Sequence, residues 1–173
     1  SMDRDGRVIY VGSFSKSLFP GLRLGYLVGS PAFIAEARAL RATVLRHPPG
    51  VIQRTAAHFL SLGHYDALIR RMGRAYSSRR KVMEASIRAE GLTMANPRMA
   101  GGSSFWMRAP DEVDTNALAK SLRARSVLIE PGRPFFSDDD APKNYYRLAY
   151  SSIPEDRIAE GVGLIAAELR NGK

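Results

Sequence analysis

Residues 13–26 read SFSKSLFPGLRLGY, a loop-like stretch with a lysine near its start. The preceding β-branched run at 8–11 predicts a short buried strand. The Pro-Gly pair at 20–21 is a turn signal, and the apolar run at 24–29 predicts a second strand. Lys16 is therefore expected in a tight loop between two strands, beside serine hydroxyls and glycines that permit close backbone approach.

The residue types around Lys16 suit a phosphorylated aldehyde as ligand. A lysine amine forms an imine with an aldehyde, while hydroxyl groups and the guanidinium of Arg23 can hold a phosphate dianion. A P-loop is excluded, because the pattern GxxxxGK[ST] requires glycine where Tyr10 and Ser15 stand. The simpler alternative is a lysine that is exposed on a surface loop.

Composition excludes several other kinds of site. The chain has no cysteine, so disulfides, thiolate zinc sites, iron–sulfur clusters and a cysteine nucleophile are ruled out. The three histidines, His47, His58 and His64, have no metal-ligand spacing, so no metal site is expected. No apolar run approaches the ~18 residues of a membrane span and no signal peptide opens the chain, which predicts a soluble, cytoplasmic protein.

Helical and strand-like patterns alternate along the chain, which predicts an α/β class with an α+β second half. Ser30 and Pro31 are expected to be the N-cap and first residue of a helix. The Pro- and Gly-containing run at 47–50 ends that helix and predicts a domain joint. Residues 51–89 have a helical pattern, with an interruption at Gly63.

The second half has a mixed pattern of short strands and helices. Strands are predicted at 103–107, 127–129 and 145–150, and a helix at 114–125 with Ala117, Leu118 and Leu122 facing inward. Ser152 and Glu155 form a capping-box pattern before a closing amphipathic helix.

The chain carries a net charge of +9, which favours anionic partners. Much of the excess lies within one predicted helix, at Arg70, Arg71, Arg74, Arg79, Arg80 and Lys81. These residues fall mostly off the apolar stripe, so we interpret them as a solvated helix face. The alternative is a nucleic-acid-binding module, although no aromatic residues interleave the cluster in a way that suggests base stacking.

The stretch at 13–26 closely resembles the cofactor-lysine segment of fold-type I aminotransferases, which use pyridoxal 5′-phosphate (PLP). The resemblance implies that Lys16 is the Schiff-base lysine and the catalytic proton carrier. It also implies that Ser13 and Arg23 bind the cofactor phosphate, with Ser15 as a further candidate.

Two further segments are similar to the same family. Residues 145–151 (YYRLAYS) resemble its C-terminal strand, whose arginine binds the substrate α-carboxylate, and this implies that role for Arg147. The alternative for Arg147 is a strand residue paired with a neighbouring acid. The stretch GGSSFW at 101–106 resembles a strand of the family's small domain, and we interpret Phe105 and Trp106 as packing residues.

Within the family, three segments look most like MocR-type GntR regulators: LGHY at 62–65, RRMGRAY at 70–76 and VLIEPG at 127–132. Such regulators join an N-terminal winged helix-turn-helix to an aminotransferase-like domain that senses PLP and amino-type effectors. Stand-alone 2-aminoadipate-type aminotransferases share much of this pattern, so an enzyme that moves an amino group from an amino acid to a 2-keto acid is the alternative.

The resemblance implies the C-terminal portion of a PLP-dependent transferase fold. Residues 1–47 would be the end of the large domain and residues 48–173 the small domain, with the N-terminal half and any DNA-binding domain outside this chain. The parent protein is expected to be a homodimer that binds DNA. Because the family's partners of the pyridine ring lie in the missing half, we expect the chain alone to lack transaminase activity and to bind PLP weakly or not at all.

Overall fold

The computed structural model describes residues 3–97, 101–138 and 140–171. The chain divides into two compact units, one up to Arg71 and one from Met72 onward, and each is described by itself. No helix in the described ranges is both long and apolar enough to cross a membrane.

The first unit begins with two antiparallel strands, β1 (Tyr10–Ser13) and β2 (Gly25–Val28). Helix α1 (Pro31–Val44) follows, and Ser30 caps it: the backbone N–H of Phe33 donates to Ser30 Oγ at 3.3 Å. The predicted helix start is therefore confirmed.

The prediction that residues 8–11 form a buried strand is wrong. The strand begins at Tyr10, and the side chain of Val11 is 72% exposed. Within the described chain β1 pairs with β2 alone, and a two-stranded sheet leaves most of its apolar surface open to water. A β-branched pattern indicates an extended backbone, but the pattern does not show whether other residues bury that strand.

Two helices follow, α2 (Gly50–Ser61) and α3 (His64–Ala89), and the predicted interruption at Gly63 is confirmed. Gly63 has a φ of +74°, a left-handed conformation that favours glycine and stops α2. Helix α3 begins in the first unit and ends in the second, where Met83 and Ile87 on its apolar stripe are buried.

The second unit is built on a four-stranded antiparallel sheet. Its strands are β3 (Thr93–Met94), β4 (Ser104–Arg108), β5 (Glu130–Pro131) and β6 (Tyr145–Ala149), in the order β3-β4-β6-β5. Helices α4 (Thr115–Ala124) and α5 (Ile158–Asn171) complete it, and both contribute to the core.

The core of the second unit follows from alternation along β4 and β6. Phe105 and Met107 on β4, and Tyr146 and Leu148 on β6, are buried with side chains from α3, α4 and α5. Residues between them lie on the opposite face of the sheet. That face carries Arg147, opposite Trp106 in the strand register.

Two local predictions in this unit are wrong. The predicted strand at 127–129 lies instead at Glu130–Pro131, and the capping box of Ser152 and Glu155 does not form. Pro154 is the N-cap of a short 3-10 helix, Glu155–Arg157, which leads into α5 without a side-chain cap. Proline has a restricted φ angle and no N–H group that needs an acceptor, so the 3-10 helix begins here without a cap from the Ser152 side chain.

Candidate functional site

The predicted cofactor lysine lies on an eleven-residue loop between β1 and β2. The loop is closed where the backbone N–H of Phe14 donates to the carbonyl of Leu24 at 3.0 Å. Leu18 N–H then donates to the carbonyl of Phe14 at 2.8 Å, which makes a helical turn of the residues between them. Lys16 lies on this turn with its side chain exposed.

The predicted phosphate ligands Ser15 and Arg23 lie on the same loop, and Ser13 is the last residue of β1. The backbone N–H of Ser15 donates to Ser13 Oγ at 3.2 Å, so the two serines are in direct contact. Arg23 follows a 3-10 turn, Pro20–Leu22, and has a left-handed backbone with φ 48° and ψ 37°. Its side chain is exposed. Lys16, Ser15 and Arg23 therefore share one short connection between paired strands, and Ser13 lies directly before it at the end of β1.

Two glycines bring β1 and β2 close together below the loop. A Cβ atom at Gly12 would lie 2.2 Å from the ring of Tyr26, and one at Gly25 would lie 2.7 Å from the carbonyl oxygen of Gly12. The Tyr26 ring therefore covers Gly12, with its centroid 5.4 Å from Phe14 and 5.9 Å from Tyr10. A hydrogen bond with Tyr10 raises the pKa of Tyr26 above its ordinary value.

The loop fits a phosphorylated aldehyde on two observations. Among the described residues, Lys16 has no hydrogen-bond or ion-pair partner, so its amine is available to react. Ser17 Oγ is buried without a hydrogen-bond partner in the described chain. A buried polar atom that lacks a partner is costly, which indicates that a further group belongs near this loop. Amine, hydroxyl and guanidinium groups match the aldehyde and phosphate of such a ligand.

Arg147 belongs to the second unit, at the middle of β6. Its Cα lies opposite Trp106 on one neighbouring strand and Glu130 on the other. The guanidinium forms an ion pair with Glu130, and its Cζ lies 5.5 Å from the ring centroid of Phe135. The structure therefore contains the pairing with a neighbouring acid that the sequence analysis gave as the alternative for Arg147. Binding of a substrate carboxylate by Arg147 stays a prediction.

The aromatic residues of β4 pack as the sequence indicates, with Phe105 on the core face of the sheet and Trp106 on the face that carries Arg147. Phe105 is buried, and Trp106 stacks on Tyr145 with a centroid separation of 5.7 Å and an interplanar angle of 22°. Trp106 also contacts Phe135 edge-on at 5.5 Å. This face of the sheet therefore places an aromatic patch beside an arginine.

Sequence reasoning missed the contacts of two arginines on α3. The prediction of a solvated face is wrong for Arg79 and Arg80, because Arg79 donates to the carbonyl of Ser151 and Arg80 to that of Gly101. The Arg80 guanidinium also lies 4.7 Å from the ring centroid of Phe105. These arginines tie α3 to loops of the second unit, which the helical pattern of α3 could not reveal.

Sequence reasoning also gave no role to Glu130. The only local signal was a Glu-Pro-Gly run, which predicts a turn and does not name a partner. The ion pair depends on the register of a two-residue strand. Among the described residues, no group of three or more His, Asp or Glu side chains could hold a metal ion.

Comparison with known proteins identifies the family. The family model of aminotransferase class I and II matches residues 1–165. HTH-type transcriptional regulator TauR of Rhodobacter capsulatus is 62% identical over 170 residues, which cover 98% of this chain and 35% of that protein.

Solved structures give the same result. Pyrococcus horikoshii kynurenine aminotransferase, in complex with PMP, has a TM-score of 0.83 and 29% identity over 98% of this chain and 42% of its own. Thermus thermophilus LysN, an α-aminoadipate aminotransferase complexed with N-(5′-phosphopyridoxyl)-L-leucine, has a TM-score of 0.81 and 29% identity over 95% and 42%. The chain spans between 35% and 42% of the length of these three proteins. With its mixed α/β fold and its lysine loop, the chain belongs to the aminotransferase class I and II family.

Proposed function

We propose that this chain is the C-terminal part of a PLP-dependent, effector-sensing domain in a transcriptional regulator of the MocR type. The main support is the 62% identity to a helix-turn-helix regulator over almost the whole chain. The residues that resemble MocR-type sequences lie in both units, which extends the likeness beyond the lysine loop.

The cofactor of the complete protein is PLP in this proposal. The observation that carries it is the exposed Lys16, which has no partner among the described residues, on a loop that holds Ser15 and Arg23 and follows Ser13 at the end of β1. Lys16 Nζ would bond to the cofactor aldehyde and later carry a proton, while the two hydroxyls and the guanidinium would bind the phosphate. When bound, PLP supplies an electron sink for an attached amino compound.

The effector is an amino acid or a related amino compound. Arg147 would orient it, because a planar guanidinium donates two parallel hydrogen bonds to a carboxylate. Its position on a regular strand among packed aromatic rings supports this role, since a rigid support fixes the direction of those bonds.

The remaining partners belong to the complete protein. We place residues 1–47 at the end of the large domain and residues 48–173 in the small domain of a cytoplasmic homodimer. DNA would bind to an N-terminal domain outside this chain. Binding of the effector would shift a conformational equilibrium that is coupled to DNA affinity.

A stand-alone aminotransferase of the 2-aminoadipate type is the alternative. It is favoured by the similarity to two solved aminotransferases over nearly all of this chain. The complete protein separates the two hypotheses. A regulator binds duplex DNA with an affinity that changes when an amino effector is added, whereas an enzyme transfers amino groups to a 2-keto acid at an ordinary turnover rate.

Borohydride reduction tests the cofactor assignment directly. The complete protein is incubated with PLP, reduced, digested and mapped by mass spectrometry, and a reduced pyridoxyl group is expected on Lys16. Lys16→Ala should abolish the label. Lys81→Ala, which removes an exposed lysine from α3, is the matched control and should leave it unchanged. A label on another lysine, with Lys16 unmodified, would overturn the assignment.

A further inference from the structure

Glu130 occupies a defined position beside Arg147. The two residues are direct partners in the antiparallel register of β5 and β6, so their side chains lie on the same face of the sheet. Their carboxylate and guanidinium form an ion pair, and the side chains are 45% and 43% exposed. The pair is therefore open to a ligand that approaches from solvent.

The surroundings of this ion pair limit how it can rearrange. The backbone N–H of Gly132 donates to the carbonyl of Tyr145 at 2.7 Å, which holds the end of β5 against β6. A Cβ atom at Gly132 would lie 2.6 Å from that oxygen and 2.8 Å from the ring of Trp106. The backbone that carries Glu130 is thus tightly packed, and what can move is its exposed side chain.

We propose that Glu130 is a specificity-determining residue of the Arg147 site, where its carboxylate competes with the acid group of the effector. This inference rests on the proposed role of Arg147. The Glu130 carboxylate contacts Nη2 of Arg147, so an acid that binds the guanidinium through both Nη groups must compete with it, and the displaced carboxylate stays nearby on the same sheet face. A ligand with one acid group has only to compete with Glu130 for the guanidinium. A ligand with two acid groups is at a further disadvantage, because Glu130 also repels its second acid group. The site therefore selects monocarboxylic over dicarboxylic ligands.

Trp106 provides a direct readout of binding. It is the only tryptophan of the chain and lies opposite Arg147 in the register. Benzoate is a suitable monocarboxylate, because its ring can pack on the aromatic patch, and isophthalate adds a second carboxylate to the same ring. Each is titrated into the 173-residue chain at constant ionic strength, and the tryptophan fluorescence is recorded.

We expect Glu130→Gln to tighten benzoate binding by about two- to fivefold, the range that an exposed ion pair supplies. Isophthalate binding should tighten by a larger factor, so the preference for benzoate falls. Arg147→Gln should weaken both. Glu160→Gln is the matched control: it removes an exposed carboxylate that pairs with Arg157 in the same unit, and should change neither affinity.

Three results would overturn the proposal. Glu130→Gln leaves benzoate binding unchanged or weakens it, Glu160→Gln has the same effect as Glu130→Gln, or neither wild type nor Glu130→Gln binds benzoate. The labelling of Lys16 by PLP is a separate measurement. A missing label with an intact Glu130 effect would refute the cofactor assignment and leave the competition at Arg147 standing.

Discussion

At the scale of single residues, Asp114 fixes where α4 begins. Its carboxylate accepts a hydrogen bond from the backbone N–H of Asn116 at 2.8 Å, in the position of a helix N-cap. We expect Asp114→Ala to lower the free energy of unfolding of the second unit by about 1 kcal/mol, the usual cost of a lost N-cap. Asp114→Asn keeps an acceptor and should cost much less. Urea unfolding of the three proteins at neutral pH measures the difference.

The same cap predicts a dependence on pH. The hydrogen bond from Asn116 N–H lowers the pKa of Asp114 below its ordinary value of 3.8. Because the folded-state pKa is the lower one, the carboxylate stabilises the fold above pH 3.8, and this stabilisation is lost as the pH falls through the lowered pKa. Wild type should therefore lose its advantage over Asp114→Asn in acid. An advantage that is equal at neutral and acidic pH would contradict the prediction.

The candidate site was predictable from sequence only where its residues are neighbours in the chain. Ser13, Ser15, Lys16 and Arg23 lie within eleven residues, and the structure places the last three on the loop that follows Ser13 at the end of β1; their roles stay predictions. Glu130 is seventeen residues from Arg147, and only the register of β5 and β6 brings them together. A strand of two residues has too short a pattern for that register to be derived.

At the scale of elements, the junction of α2 and α3 depends on one glycine. Gly63 has a φ of +74°, whereas Gly73 lies within α3, and an added Cβ at either position meets no described atom within 4 Å. We expect Gly63→Ala to destabilise the fold by about 1 kcal/mol, because a left-handed backbone strains any residue with a Cβ. Gly73→Ala should stabilise it by roughly 0.5–1 kcal/mol, because alanine is the better helix former.

These two substitutions control for each other. Both add one methyl group in open space. If the free energy of unfolding changes in opposite directions at the two positions, the difference comes from the backbone conformation and not from packing. Unfolding followed by helical circular dichroism gives both values. If Gly63→Ala were not destabilising, Gly63 would not be held in a left-handed conformation, and if Gly73→Ala were destabilising, the prediction for Gly73 would be wrong.

Helices were easier to predict than strands in this chain. Apolar residues at helical spacing predicted the region of α2 and α3, and the Ser-Pro pair marked the start of α1, because both signals are local. The strand at 127–129 was misplaced because Val127 and Ile129 pack against the core without a ladder partner in the described sheet, while Leu128 is exposed. Short strands are defined by pairing, which a single segment does not encode.

At the scale of the whole chain, the two units differ in how much they bury. The first unit has only two buried hydrophobic side chains among its described residues, Leu22 and Ala56. In the described part of the second unit, thirteen buried residues form one continuous core. The mixed α/β class was predicted and is confirmed, but this contrast was not, because hydrophobic patterns in the first unit indicate burial that the described chain does not provide.

This contrast predicts unequal protection from hydrogen exchange. Amide protons of β4, β6 and α5 should exchange slowly, because they open only when the core of the second unit unfolds. Those of β1, β2 and α1 should exchange much faster, since few buried contacts oppose local opening. Hydrogen–deuterium exchange of the 173-residue chain with peptide-level mass spectrometry measures both. Equal protection of the two units would contradict the expectation.

The strand pair β1 and β2 has one more consequence, for the behaviour of the chain in solution. Its sequences, YVGS and GYLV, contain no charged residue, and in the described chain each strand has one edge without a ladder partner. Natural sheets guard such edges with lysine, proline or a bulge, because a bare edge recruits strands from other molecules. Without these safeguards, a high concentration of the chain favours β-rich aggregates that grow from this hairpin, and dilution disfavours them.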